Sequence, residues 1–276
     1  MRCCPPDEAC VRRAQPWLGT LVEVALPVSQ ASAARFDAAF AAIAQVHRRM
    51  HPRARGSDLL RIARRAHRAP VRVHAQTFAV LELAQRLWRD SGGRFDPAVS
   101  RRGAGLAALQ LSRGRHVRCS APLQLNLGGI AKGYAVDRAV DALRAAGVQA
   151  GLVNAGGDLR VFGSDRWWPV QVRAAAMLAP LCIELREAAL ATSGAAGGPP
   201  RLHDPRRGRA RRHGGSLSVA AADCASADAL TKPLALNPPR GLRLLRRHRA
   251  HALRLSAAGR AWATFEAATP HLRLSA

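Results

Sequence analysis

The chain has 276 residues, 48% of them apolar, which is enough for a sizeable globular core and excludes a disordered chain. Its 43 Lys and Arg residues outnumber 18 Asp and Glu residues, which favours an anionic partner or reflects only the composition of an Arg-rich proteome. Six cysteines without a CxxC pair argue against structural zinc. The lack of a membrane-length apolar run excludes a transmembrane segment. One tyrosine and no nucleic-acid motif argue against specific nucleic-acid binding, and a basic nucleic-acid binder stays an alternative that only sequence- or structure-selective binding would support.

The apolar periodicity predicts an irregular tail at residues 1–15, followed by one domain over residues 16–276. The helix after residue 130 is predicted to bury Val136, Val140 and Leu143. The predicted strands and turns are 19–27, 123–129, 151–163 and several segments from 167 to 223, and the predicted helices are 32–50, 56–66, 76–93, 131–146, 226–236 interrupted at Pro233, and about 239–248. Helices and hairpins intermix without a strand–helix–strand rhythm. The order therefore predicts an α+β fold with mixed, largely antiparallel sheets and packed helices, not a Rossmann fold.

The stretch "LNLGGIAKGYAVD" (125–137) combines a short strand, two glycines and a lysine at the start of a helix. Gly128 and Gly129 allow close approach of a ligand to the backbone, and the helix start and Lys132 add positive charge. This pattern is a plausible phosphate cradle, although it matches neither the Walker A loop nor GxGxxG. A tight turn with a solvated lysine would look the same, so the residues alone leave both interpretations open.

Several separated stretches together resemble one family, the FAD:protein FMN transferases or ApbE-like flavin transferases, from about residue 12 to the end. The stretches are "LGTLVEV" (18–24), "GSDLLRI" (56–62), "GGRFDPAV" (92–99), "LNLGGIAKGYAVD" (125–137), "VNAGGDLRVFG" (153–163), "ATSG" (191–194), "HDPRRG" (203–208) and "SADALTK" (226–232). The resemblance implies a T-fold-related α+β domain. It also implies Mg²⁺-dependent cleavage of FAD, transfer of FMN to a threonine hydroxyl of a redox-protein partner, and release of AMP.

The resemblance also implies roles for individual residues. Gly129 would bind Mg²⁺ through its carbonyl and Asp228 through its carboxylate, with Thr231 as a further ligand, while His203 would be the base. The expected FAD-binding residues are Leu18, Gly19, Thr20, Phe95, Asp96, Pro97, Asn126, Lys132 and Leu202. The residues themselves allow other interpretations: Asp96 could cap its own turn, Asn126 could satisfy a turn, and Asp158 is expected only to shape its hairpin.

Two positions depart from the family pattern. Lys232 stands where the family has a metal-binding threonine, and an ammonium cannot ligate Mg²⁺. Either Thr231 substitutes after a local shift, or Lys232 replaces part of the metal's charge, or metal binding is weak. In the base loop, Arg201 stands where the family histidine is expected, which leaves His203 as the candidate base. The region 50–56 also lacks the aromatic residue that the family often stacks on a ring.

These departures keep three functions open: the FMN transferase, a metal-dependent FAD pyrophosphatase that uses water, and a flavin binder without turnover. The expected partners are FAD and a flavin-accepting redox subunit with an accessible threonine. The sequence as written has neither a signal peptide nor a lipid-anchor motif, which predicts a cytoplasmic protein. A longer N-terminus would instead predict a periplasmic or inner-membrane-associated protein, as in many family members.

Overall fold

The computed structural model describes residues 9–98, 105–163, 165–172, 181–194, 201–212, 215–256, 260–265, 269 and 271–274. These residues form six α-helices: α1 (Ala33–Met50), α2 (Asp58–Arg65), α3 (Ala75–Ser91), α4 (Ala131–Ala145), α5 (Cys224–Leu236) and α6 (Pro238–Arg247). The strands are β1 (Cys10–Trp17), β2 (Thr20–Pro27), β3 (Val71–Arg72), β4 (Leu109–Ser112), β5 (His116–Cys119), β6 (Gly151–Ala155), β7 (Asp158–Phe162), β8 (Trp168–Val172), β9 (Leu181–Leu185), β10 (Ala189–Ser193), β11 (Arg201–Asp204), β12 (Arg209–Arg212), β13 (Ser216–Ala221), β14 (His251–Leu255), β15 (Ala261–Ala263) and β16 (Leu272–Leu274).

The largest sheet contains eight strands in the order β1-β2-β6-β7-β10-β13-β14-β15, and each neighbouring pair is antiparallel. The sheets β3-β5-β4 and β8-β9-β16 and the hairpin β11–β12 are antiparallel as well. The predicted α+β class with antiparallel sheets is therefore confirmed, and no parallel pair occurs among the described strands.

The eight-stranded sheet is covered on both faces, and alternation along β6 shows how its residues divide between them. Val153 belongs to the core shared with α1 and α4, whereas Leu152 packs in a second core with Trp168 and Ile183 of the smaller sheet. Adjacent residues of a strand point to opposite faces, so one strand serves both cores. In the helical layer α4 and α5 pack against each other and against strands of this sheet.

Helix α4 forms as its periodicity predicts, with Val136, Val140 and Leu143 fully buried. Helix α5 does not stop at Pro233 as expected but continues to Leu236. Proline removes one backbone hydrogen bond and usually ends or kinks a helix. Here nearly every residue of α5 is buried, including Leu230 and Leu234, and this packing outweighs the lost bond.

The prediction of an irregular tail at residues 1–15 is wrong for residues 10–15, which belong to β1 and pair along their whole length with β2. Residues 1–8 of the predicted tail lie outside the described residues, as do residues 99–100 and 195–200. The predicted strand at 123–129 is reduced to one bridge between Leu125 and Ala98, and a turn follows it. Within the described part of the chain, no helix has the length and apolar character that a bilayer crossing requires.

Candidate active site

A turn formed by residues 126–130 joins the Leu125 bridge to α4, and hydrogen bonds fix its shape. The backbone N–H of Asn126 donates to the carbonyl of Pro97 at 2.8 Å, and the N–H of Gly128 donates to Oδ1 of Asn126 at 2.9 Å. Both glycines have ordinary negative φ, so they are needed for space rather than for an unusual backbone conformation. A methyl group on Gly129 would lie 3.0 Å from Cε of Lys232.

One cavity of about 530 Å³ opens above this turn and brings together seven of the residues predicted for the site. They are Phe95, Asp96, Pro97, Asn126, Gly129, Leu202 and His203, and Arg94, Gly128 and Lys232 also line the cavity. Asn126 Oδ1 accepts the N–H of Gly128 inside the turn, and its Nδ2 group is the donor that a ligand would meet. The cavity walls thus come from four separate parts of the chain: the 94–98 loop, the glycine turn, hairpin β11–β12 and α5.

A second cavity of about 270 Å³ adjoins the first, because Asn126 and Gly128 line both. Leu18, Gly19 and Lys132, three further predicted residues, lie on its wall. Leu18 and Gly19 form the β1–β2 turn with positive φ. Thr20 does not line either cavity, because it packs against Gly156 in the β6–β7 turn, where a side chain would collide with its hydroxyl.

The second cavity is also lined by two histidines that sequence reasoning missed. His47 and His51 stack edge to face with ring centroids 5.4 Å apart, and Trp17 adds a third ring 5.8 Å from His47. Burial first, and then the nearby His51 and Arg48, lower the pKa of His47. The helical spacing of four residues between the two histidines was the signal that could have found this ring stack.

Four charged side chains form an ionic cluster next to the cavities: Lys132, Asp158, Asp228 and Lys232. The ammonium of Lys132 donates to Asp158 Oδ2, and the ammonium of Lys232 donates to Asp228 Oδ1. Both carboxylates are almost completely buried. The two lysines are the only lysines in a chain that otherwise uses arginine for its basic residues. Asp158 was expected only to shape its hairpin, and its place in this cluster is a correction to that expectation.

The cluster shifts the protonation of its members. Burial alone would lower the pKa of Lys132, but the carboxylates of Asp228 and Asp158 raise it above its ordinary value. Burial and then the like charge of Asp228 raise the pKa of Asp158 to about 6, against the attraction of Lys132 and Lys232. Two carboxylates and two ammonium groups leave the ionic cluster with no net charge at neutral pH.

The position of Asp228 depends on an anchor between α4 and α5. Asp137 of α4 accepts hydrogen bonds from the N–H groups of Cys224 and Ala225 at 2.9 Å each, and from Arg160 Nη1 at 2.8 Å. Gly133 allows this approach, since a methyl group there would lie 2.8 Å from the nitrogen of Ala225 and closer still to the carbonyl of Cys224. Sequence reasoning did not assign Asp137, whose carboxylate satisfies the free N–H groups at the start of α5.

The Mg²⁺ ion that the resemblance implies does not fit the arrangement of these residues. Lys232 Nζ donates to the carbonyl oxygen of Asp228 at 2.9 Å and also to Oδ1, where a metal would need free oxygens. Thr231 is fully buried away from the cavity, because its hydroxyl donates to the Asp228 carbonyl at 2.7 Å and bonds the Ser193 hydroxyl at 2.8 Å. Asp228 Oδ2 is buried and has no partner among the described residues.

His203 and Asp96 both line the first cavity. His203 is exposed on β11, and its positive charge is one of the smaller influences that lower the pKa of Asp96. Burial has the larger effect and raises the pKa of Asp96 overall. Both Asp96 oxygens accept backbone hydrogen bonds, from Ala98 at 2.8 Å and from Leu106 at 3.2 Å, so the carboxylate caps its own loop.

The antiparallel α+β fold thus arranges two adjoining cavities and two lysines around one glycine turn. The sequence model of the ApbE family matches residues 18–254. The chain therefore belongs to the ApbE family, as the sequence resemblance predicted.

Solved structures share the fold. The flavin transferase ApbE from Vibrio cholerae is 22% identical, with a TM-score of 0.80, and the match covers 93% of this chain and 97% of that chain. The ApbE protein from Thermotoga maritima is 22% identical, with a TM-score of 0.81 and coverage of 92% and 96%. The flavinyl transferase ApbE from Pseudomonas stutzeri is 22% identical, with a TM-score of 0.78 and coverage of 93% and 94%. A comparison with curated proteins gives no significant match.

Proposed function

We propose that this chain is a flavin transferase that binds FAD and passes its FMN half to a threonine hydroxyl of an acceptor protein, releasing AMP. Membership of the ApbE family supports the proposal, as do the names of the Vibrio and Pseudomonas proteins that share its fold. The observation that carries it is the pair of adjoining cavities with a lysine beside each. FAD has the matching form: two ring systems joined by a pyrophosphate.

In this proposal the pyrophosphate crosses the shared wall at Asn126 and Gly128. The ammonium groups of Lys132 and Lys232 lie on either side of that wall and attract its negative charge. The Nδ2 group of Asn126 and the backbone of the glycine turn add hydrogen-bond donors. The Phe95–Pro97 loop and Leu202 hold one ring system, and Leu18 and Gly19 border the other.

The transfer step exchanges one phosphorus–oxygen bond for another. The threonine oxygen attacks the phosphorus of the FMN half, the bridging bond of the pyrophosphate breaks, and AMP leaves with the bonding electrons. The hydroxyl proton passes to a base, and His203 is the candidate because it is exposed at the cavity that the acceptor must reach. The ammonium groups of Lys232 and Lys132 donate hydrogen bonds to the phosphate oxygens on which charge develops.

The test is an incubation of the purified protein with FAD and a flavin-acceptor domain that carries an accessible threonine. A Thr→Val acceptor is the matched control, and each reaction is run with Mg²⁺ and with EDTA. Chromatography measures AMP, and intact mass spectrometry measures the acceptor. We expect AMP together with an acceptor heavier by FMN less one water, and no change in the Thr→Val acceptor.

The other outcomes separate the remaining functions. AMP with an unchanged acceptor identifies a FAD pyrophosphatase, in which water replaces the threonine. Bound FAD without AMP identifies a flavin binder, and no FAD binding in either condition refutes the proposal.

A further inference from the structure

Lys232 donates hydrogen bonds to the oxygen atoms that a divalent cation would need as ligands. Its ammonium takes both the backbone carbonyl and the carboxylate of Asp228, and its stem passes over Gly129. These are two of the three residues from which the resemblance drew a Mg²⁺ site. The third, Thr231, is buried, and its hydroxyl bonds the Asp228 carbonyl and the Ser193 hydroxyl. A charged nitrogen therefore lies where a metal ion would meet its ligands.

The charge of the ionic cluster supports the same conclusion. With Lys232 present, the two carboxylates are balanced by two ammonium groups, and a divalent cation would add two charges to a neutral and mostly buried set. Without Lys232, one carboxylate would be left unbalanced next to the cavity, and a cation would be favoured there. Asp228 Oδ2, which is buried without a partner among the described residues, marks this carboxylate as the one that most needs a neighbouring positive charge.

The presence of lysine rather than arginine at position 232 also suggests that its ammonium replaces a metal ion. Lysine ends in a compact, strongly hydrated point charge, whereas arginine ends in a broad planar fork. Of the 43 basic residues in this chain only two are lysines, and both belong to the ionic cluster. The positions that need a small spherical charge have thus kept lysine in a chain that uses arginine everywhere else.

We propose that the ammonium of Lys232 takes the place of the divalent cation, so that this protein binds the pyrophosphate of FAD without a metal ion. This inference rests on the proposed function for its ligand, but the occupation of Asp228 by Lys232 is a property of the chain itself. Lys132 and Lys232 then place two ammonium groups beside the pyrophosphate as hydrogen-bond donors, within a cluster that carries no net charge of its own.

Two measurements on the wild-type protein test the proposal without any variant. FAD affinity, measured by the change in flavin fluorescence, is expected to differ by less than about twofold between EDTA and Mg²⁺. Electron paramagnetic resonance with Mn²⁺ is expected to show no bound ion, with or without FAD. An FAD affinity that falls tenfold or more in EDTA would overturn the proposal. Stoichiometric Mn²⁺ binding that is lost in Asp228→Asn would do the same.

Variants then test the role of the side chain, and thermal unfolding confirms that each is folded. Lys232→Met is expected to lose at least tenfold in FAD affinity, and metal is not expected to restore it, because the Met side chain fills the space beside Asp228 and offers no oxygen ligand. Lys232→Thr leaves that space open and adds a hydroxyl, so it is expected to regain affinity with Mg²⁺ and to bind Mn²⁺. Arg118→Met, at an exposed position of β5, removes the same charge away from the cavities and is expected to change neither property. Equal FAD affinity of Lys232→Met and wild type would count against the proposal.

The Mn²⁺ measurement without FAD tests the role of Lys232 even if the proposed function is wrong. If neither wild type nor any variant binds FAD, with Mg²⁺ or with EDTA, the proposed function is refuted. The Mn²⁺ spectra of wild type and Lys232→Thr still decide whether Lys232 excludes the metal.

Discussion

Replacing Asp137 with alanine tests whether one carboxylate holds the start of α5 against α4. The change leaves the N–H groups of Cys224 and Ala225 buried without their acceptor, at a cost of about 1–3 kcal/mol each. It also removes the partner of Arg160, a mostly buried guanidinium, and breaking such a pair typically costs about 3–5 kcal/mol. These costs overlap, so we expect a total loss of about 4 kcal/mol in the free energy of unfolding.

The assay is urea unfolding followed by circular dichroism, with thermal unfolding as a second measure. A loss of about 4 kcal/mol lowers the melting temperature by about 10 °C in a chain of this size. Asp141→Ala is the matched control, since it lies one turn further along the same helix and its pair with Arg138 is exposed. Exposed pairs contribute about 0–1 kcal/mol, so the control should stay close to wild type. Equal stabilities of Asp137→Ala and Asp141→Ala would refute the anchoring role.

Three further predictions concern protonation and catalysis. The pKa of Lys132 is raised above its ordinary 10.5, so its ion pair with Asp158 stabilises the fold below pH 10.5 and is lost as the pH rises through the raised pKa. In urea titrations at alkaline pH, wild type should therefore lose stability, whereas Lys132→Met should not. Asp158, whose pKa is raised to about 6, takes up a proton below that pH and leaves the ionic cluster with a positive charge. FAD affinity should therefore rise by about tenfold from pH 7.5 to 5, and Asp158→Asn should abolish this rise. His203→Ala should lower the rate of AMP release by about 10²–10⁴-fold, whereas His116→Ala, at a half-buried position of β5 that lines neither cavity, should leave it unchanged.

The sequence predicted the fold class and most helices because their apolar periodicity is local information. Strand β1 escaped prediction since it is an edge strand with little buried surface, and the pairing partner β2 determines its conformation. The predicted interruption of α5 at Pro233 was wrong for the opposite reason. Proline does disfavour a helix locally, but the burial of α5 outweighs that effect.

The candidate site was predicted in part, and the missing part is its ion pairs. The glycine turn was recognised, but its glycines provide room for Lys232 and for the hydrogen bond to Asn126 rather than an unusual φ. The pair between Lys132 and Asp158 spans 26 residues and depends on how α4 meets the sheet. No local pattern contains that contact, so the role of Asp158 became visible only in the folded chain.

The scarcity of lysine has a practical consequence for following the opening of this protein. A protease that cuts after lysine finds one cleavable bond in the chain, because the bond after Lys232 is followed by Pro233 and resists cleavage. The remaining site, after Lys132, lies in the first turn of α4, where the ammonium is held by Asp158. Cleavage into fragments 1–132 and 133–276 therefore requires that turn to unwind. The rate of this single cleavage measures how often the start of α4 opens next to the cavities.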